Sequence, residues 1–323
     1  MIHRRSFTAL LGALALPAVP AWAAGFPEKA VRLIVPYAAG GPTDVVGRVL
    51  AEGLSGIWGQ QVYVENKAGA SGVLGVRALM ASPPDGYNLM FTASAAFVIY
   101  PAMIEKPPYD SVTDFSAISS ISYSDLILVV NERLPVNDVD ELIAYIRAHP
   151  GKVSYASAGI GAVNHIGGEL FRRLTKTDIV HIPYKGDAPA IVDLLSGDVT
   201  LSFMSSQLAI PQIRAGKLKP LAVSSKTRMA GLPKVPTMME AGVKDFDLRA
   251  WNALVGPAGM PPELVSQINA AVVKAMDHPD VKARLADLGL VVDTSTADAF
   301  AQRLKTETLR WRAFIKSAGI KAE

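Results

Sequence analysis

Cysteine is absent from all 323 residues, which excludes a disulfide scaffold, a Cys-ligated zinc site, an iron–sulfur cluster and a cysteine nucleophile together. The nucleotide signatures are missing too. No Gly-x-x-x-x-Gly-Lys-Ser/Thr occurs, so there is no P-loop lysine. Gly159-Ile160-Gly161 is followed by Asn164, where a dinucleotide fingerprint needs its third glycine. Neither a Gly-x-Ser-x-Gly elbow nor a His-Glu-x-x-His pair is present. His165 and Glu169 stand one helical turn apart, but a metal site needs a third ligand, so no metal is expected. Basic blocks are also lacking, which removes nucleic acid as a partner.

What is present reads as an exported α/β protein. Half of the residues are apolar and 19% are charged, an ordinary globular balance. Arg4-Arg5 precede an apolar run from Phe7 to Leu16, then Pro17, Pro20 and Ala21-Trp22-Ala23. A basic start, a short apolar core and an A-x-A exit predict a signal peptide over 1–23, cleaved after Ala23. The Arg-Arg order also permits the twin-arginine route. The run is too short to span a bilayer, and no Cys follows it for lipid anchoring. A soluble, nearly neutral chain in the periplasm is the expectation.

Beyond that segment, β-branched runs alternate with amphipathic stretches, the pattern of βα units in a mainly parallel sheet. Strands are expected at Val31–Val35, Gln61–Glu65, Tyr87–Thr92, Asp125–Val130, Val153–Ser157, Ile179–Pro183, Val199–Met204, Leu218–Ser224 and Trp251–Val255. A helix opens at Pro42, buries Val45, Val46, Val49, Leu50, Leu54 and Ile57, and stops at Gly59. Further helices are expected over Val76–Ala81, Asp138–His149, Asn164–Thr175, Pro189–Leu195, Pro262–Met276, Pro279–Leu288 and Ala297–Ser317. Pro36-Tyr37 with Pro42, and Pro183-Tyr184 with Pro189, repeat one spacing and hint at two lobes of similar build. Glycine-rich turns at Gly40-Gly41, Gly69–Gly75, Gly159–Gly161 and Gly186 lead from strand to helix. There the helix N–H groups and dipole favour an anion.

Several segments carry a resemblance. They are Ile34-Val35-Pro36-Tyr37-Ala38-Ala39-Gly40-Gly41-Pro42-Thr43-Asp44, Val64-Glu65-Asn66-Lys67-Ala68-Gly69, Pro84-Asp85-Gly86-Tyr87, Tyr155-Ala156-Ser157-Ala158-Gly159, Pro183-Tyr184-Lys185-Gly186 and Gly256-Pro257-Ala258-Gly259. In order they resemble the substrate-binding proteins of tripartite tricarboxylate transporters, the Bug family. The resemblance implies an α/β fold of the two-lobed periplasmic-binding-protein kind (type II-like), each lobe a mainly parallel or mixed sheet flanked by helices. Residues 24–123 with 249–323 would form lobe 1 and 124–248 lobe 2, with Asp125–Asn131 and Arg249–Val255 crossing between them.

The implied site lies between the lobes. Lobe 1 would offer Tyr37, Ala39, Gly40 and Asp44 from its first turn, with Thr92 and Ser94. Lobe 2 would offer Ser157, Gly159, Gly161, Asn164 and His165, with Lys185 and Ser206. The implied ligand is a small carboxylate (di- or tricarboxylate, acidic amino acid or aromatic acid), held by backbone N–H groups and hydroxyls rather than an arginine fork. Lys185 slightly favours a second acidic group. No cofactor is called for. A monomer that serves membrane transporter subunits is expected, or alternatively one read by a sensor kinase. A third possibility is an exported hydrolase with Ser157 or Ser94 as nucleophile and His165 as base, which lacks an orienting acid.

Overall fold

In the computed structural model, which describes residues 25–322, the chain enters its sheet at β1 (Val31–Val35). The Val31, Leu33, Ile34 and Val35 side chains there are fully buried. The turn Pro36–Gly41 leads to α1 (Pro42–Trp58), where proline at the first helical position sacrifices no intrahelical bond. Val46, Val49, Leu50 and Leu54 form its buried stripe, and Gly59 ends it in the left-handed conformation, its N–H on the Ser55 carbonyl. β2 (Val62–Asn66), α2 (Val73–Met80) and β3 (Asn88–Ala93) complete a parallel β2-β1-β3 unit. A π-helical turn at Ala95–Ile99 then runs into the short α3 (Tyr100–Ala102).

β4 (Phe115–Asn131) joins the two halves of the molecule. From Phe115 to Asp125 it pairs with β9 (Arg249–Pro257), which in turn pairs with β3. From Leu126 to Asn131 it pairs with β7 (Leu201–Ser205) and β8 (Leu218–Val223). Alternation along the strand serves two cores: Leu126, Leu128 and Val130 face the one containing Phe171 and Phe203, whereas Ile127 and Val129 face Met204, Ala209 and Leu218.

The second lobe continues through α4 (Val139–Ala148), β5 (Ser154–Ser157), α5 (Val163–Thr175), β6 (Val180–Pro183), α6 (Asp187–Ser196) and α7 (Ser206–Arg214), with β6, β5 and β7 parallel. α8 (Pro262–Asp277), α9 (Pro279–Asp287), the two-residue β10 (Val291–Val292) and α10 (Ala297–Ala318) return to the first lobe. Ile268 and Val272 of α8 pack with α1 on one face of that sheet, and Phe300 and Trp311 of α10 close the other.

The expected strands and helices all form, with ends shifted by a few residues except in β4, which begins ten residues before the expected Asp125. Four elements escape the sequence pattern. The serine-rich first half of β4 has no hydrophobic alternation. Its Ser119 hydroxyl instead donates to the Ser295 carbonyl at 3.0 Å, and Ser120 to that of Asp293. The helical turns at 95–102, α7 with its Pro211, and the two-residue β10 are the other three. The expected signal segment 1–23 lies outside the described residues. Among the described residues no helix is long and apolar enough to cross a membrane.

Candidate functional site

Parallel strands deliver their carboxyl ends, and the helices that follow, to a common edge. Here β1 and β3 from one lobe and β5, β6 and β7 from the other end at a single cleft. One part of it, about 170 Å³, is lined by Thr43, Ser94, Ser124, Asn164, Asp187, Ser205, Trp251 and Asn252 among others. A second part, about 350 Å³, adds Tyr37, Ser71, Tyr100, Ile160 and Gly161 and shares Ala158 and Ala162 with the first. α1, α5, α6 and α7 all start at this cleft, through Pro42 and Thr43, Val163 and Asn164, Asp187, and Gln207. First-turn N–H groups lack intrahelical partners and carry the positive end of the dipole, so the arrangement is built to receive an anion.

The lobes touch at both ends of the cleft. At one end the Ser206 hydroxyl donates to the Gly289 carbonyl at 2.8 Å. At the other, Gly161 lies so close to Met103 that a β-carbon would come within 2.8 Å of its Sδ.

Of the residues expected at the site, Tyr37, Ser94, Gly161 and Asn164 line the cleft together. The Ser94 hydroxyl accepts from the Trp251 N–H at 3.4 Å. The Asn164 side chain accepts from the Ala158 N–H at 3.1 Å and donates to Asp187 at 2.9 Å, tying two helix starts together. Tyr37 presents its ring, but its hydroxyl is buried beside Thr92 and the backbone of Ala93 and Ala96. Burial pushes the Tyr37 phenol up to about 12.

The other expected residues are placed elsewhere. Ala39 and Gly40 are exposed outside the lining. Asp44 is 1% exposed and fully engaged, accepting from Gly40 N at 2.8 Å, Arg48 Nε at 2.9 Å and Asn66 Nδ2 at 2.8 Å. Its burial works to raise the carboxyl, but Arg48, Gly40 and Asn66 outweigh it and hold the group below its ordinary range. Asp44 therefore fixes the β1–α1 turn and lies outside the cleft lining. Thr92 is buried within β3. Gly159, at φ +128°, shapes the turn behind the cleft wall. Lys185 is exposed and outside the lining, and the Ser206 hydroxyl is spent on Gly289.

Ser157 and His165 belong to a buried stack behind the cleft. The Ser157 hydroxyl meets Nε2 of His181 at 2.6 Å, not His165. The His165 Nδ1 accepts from the Gly161 N–H at 3.0 Å, and its ring lies 4.1 Å from that of His181, which stacks in turn on Tyr155 at 4.7 Å. Burial lowers His165 below its ordinary range. Glu169 is taken by Tyr155 and Arg172. The serine–base pairing that a hydrolase requires is absent from the cleft among the described residues.

Asp187, Ser124, Trp251 and Asn252 line the cleft without having been expected there. Asp187 had a signal, since it follows Gly186, but starting the helix at Pro189 left it in the loop. Ser124 and Asn252 enter only because β4 and β9 pair beside the cleft.

Comparison with known proteins agrees with this picture. A family model described as the tripartite tricarboxylate transporter family receptor matches residues 46–320. Protein BugT of Bordetella pertussis is 35% identical over 305 residues, 94% of each chain. The structure of the periplasmic binding protein BugD has a TM-score of 0.78 at 33% identity, covering 92% of this chain and all of the other. Rhodopseudomonas palustris Rpa4515 with adipate gives 0.79 at 31% identity, with 92% and 99% coverage. MatC of the same organism with bound malate gives 0.77 at 32% identity, with 90% and 100% coverage.

Proposed function

The chain belongs to the tripartite tricarboxylate transporter receptor family, and from that premise we propose that it captures a small carboxylate in the periplasm and delivers it to a membrane transporter of that class. As a receptor it performs no chemistry on its ligand. One observation carries the reading: four helix N-termini, four hydroxyls and three carboxamides from both halves of the molecule converge on one cleft. Backbone N–H groups and hydroxyls bind a carboxylate with roughly 1.5–3 kcal/mol per charge-assisted bond, so a few suffice without an arginine. The relatives that hold adipate and malate fit this class of ligand.

In this reading residues 24–123 with 249–323 move as one lobe and 124–248 as the other. Asp125–Asn131 and Arg249–Val255 act as the hinges, and the segment 1–23 directs export. Ser94 and Asn164 contact the ligand from opposite lobes, with Tyr37 and Gly161 beside them. Closure is favoured because only the closed form lets both sets of N–H groups meet one carboxylate.

A thermal-shift panel of mono-, di- and tricarboxylates against their amides tests this, on protein freed of ligand by unfolding and refolding. A ligand at about 100 times its Kd adds about 2.7 kcal/mol, a rise of several degrees that its amide should not reproduce. Asn164→Ala should reduce it. A panel in which no acid outperforms its amide overturns the proposal.

A further inference from the structure

Asp187 is the single charged side chain among the residues lining either part of the cleft; no lysine, arginine or histidine accompanies it there. It stands at the first position of α6, held in place by the Asn164 amide on one carboxylate oxygen. The other oxygen receives no hydrogen bond among the described residues, and Asp187 forms no ion pair there. Lys185, two residues earlier, is exposed and outside the lining. A carboxylate in this position is hostile to a second ligand carboxylate, because like charges at contact in a partly dry cleft repel. It is matched instead by a cationic donor.

We propose that Asp187 sets the specificity of the site by receiving an ammonium group, so that the ligand is a zwitterionic amino acid and not a plain dicarboxylate. This rests on the receptor reading above and narrows it. The ligand carboxylate is left to the N-termini of α1 and α5, while Asp187 both occupies the α6 N-terminus and faces the ammonium. Burial raises the Asp187 carboxyl above its ordinary range, against the pull of Asn164. An ammonium brought beside this half-buried carboxylate would favour its charged form.

The deciding experiment is calorimetric titration of ligand-freed protein with pairs that differ only in the α-ammonium. The pairs are L-aspartate against succinate, L-glutamate against glutarate and L-phenylalanine against 3-phenylpropionate, followed by the amino and des-amino forms of any other acid that stabilises the protein in the carboxylate panel. In wild type the amino member of the binding pair should be tighter by about tenfold or more. Asp187→Asn should erase most of that preference by weakening the amino member. Asp187→Ser, which removes the charge and keeps a small hydroxyl in the first turn of α6, should do the same, with a cooperative ligand-free melt confirming that the fold is kept.

A des-amino acid that binds wild type as tightly as its amino partner overturns the inference and leaves the receptor reading standing. A preference that survives in both variants overturns the role of Asp187. If no acid of any kind binds, the receptor reading itself fails and the inference with it.

Discussion

Acidification should destabilise the fold chiefly through His181, with the stacked His165, also lowered by burial, acting in the same direction. His181 sits in β6 with Nε2 on the Ser157 hydroxyl at 2.6 Å and its face against His165 at 4.1 Å. Burial, then the neighbouring His165, lowers it from 6.5 to about 4. Because the folded value lies below the unfolded one, the unfolded chain binds a proton that the folded chain refuses between these limits. Stability is therefore intact above about pH 6.5 and falls as pH drops toward 4. Over the stretch from about pH 6.5 to about 4.5 the linkage relation gives a loss of about 2 kcal/mol.

Urea titrations followed by circular dichroism at intervals across that range measure it. His181→Gln is the control, since its amide can still meet Ser157 but does not titrate. The variant should start less stable near neutrality, having lost the stack, yet lose less than half as much on acidification. Asp125 and Asp187, whose carboxyls burial raises, contribute with the opposite sign in both proteins and cancel in the comparison. A variant that loses as much stability as wild type over the same range refutes the assignment.

Two glycines should part ways on substitution. A β-carbon at Gly168 would stand 2.2 Å from the ring of Tyr155, which is fully buried, stacked on His181 and bonded to Glu169 at 2.8 Å, so Gly168→Ala should cost about 2 kcal/mol or more in thermal unfolding. At Gly56, exposed on α1 with open space around it, alanine should instead stabilise by about 0.5–1 kcal/mol. Ser224 is fully buried between β4 and the residue that precedes β9, donating to the Leu248 carbonyl at 2.6 Å and accepting from Leu126 N at 2.9 Å. Ser224→Ala strands both backbone groups and should lower urea stability by about 2–3 kcal/mol; a loss under about 0.5 kcal/mol would show that water replaces the hydroxyl freely.

Local rules sufficed wherever one segment carried its own instructions. Val31–Val35 is a strand because its apolar run is short and β-branched, and α1 begins at Pro42 and ends at Gly59 because those residues can do little else there. The glycine turns and the order of βα units already implied a sheet edge collecting helix N-termini, and family resemblance followed from those same turns. Tyr37, Ser94, Gly161 and Asn164 were legible for that reason: they lie in or next to turns that end strands.

Only tertiary structure decided which polar side chains face the cleft. Asp44 and His165 occupy the same kind of turn as Asn164, yet Asn66 and Arg48 draw the first inward, while His181 and the Gly161 N–H fix the second behind the wall. Partners more than a turn away in sequence leave no local trace. Ser119 and Ser120 show the same in β4: they are tolerable inside a sheet because backbone carbonyls of 293–295 accept their hydroxyls. Ser124, Asn252 and Asp187 reach the cleft because strands and helices from separate parts of the chain meet there. A sequence fixes what a side chain can bond to, whereas folding fixes which of those partners is within about 3 Å.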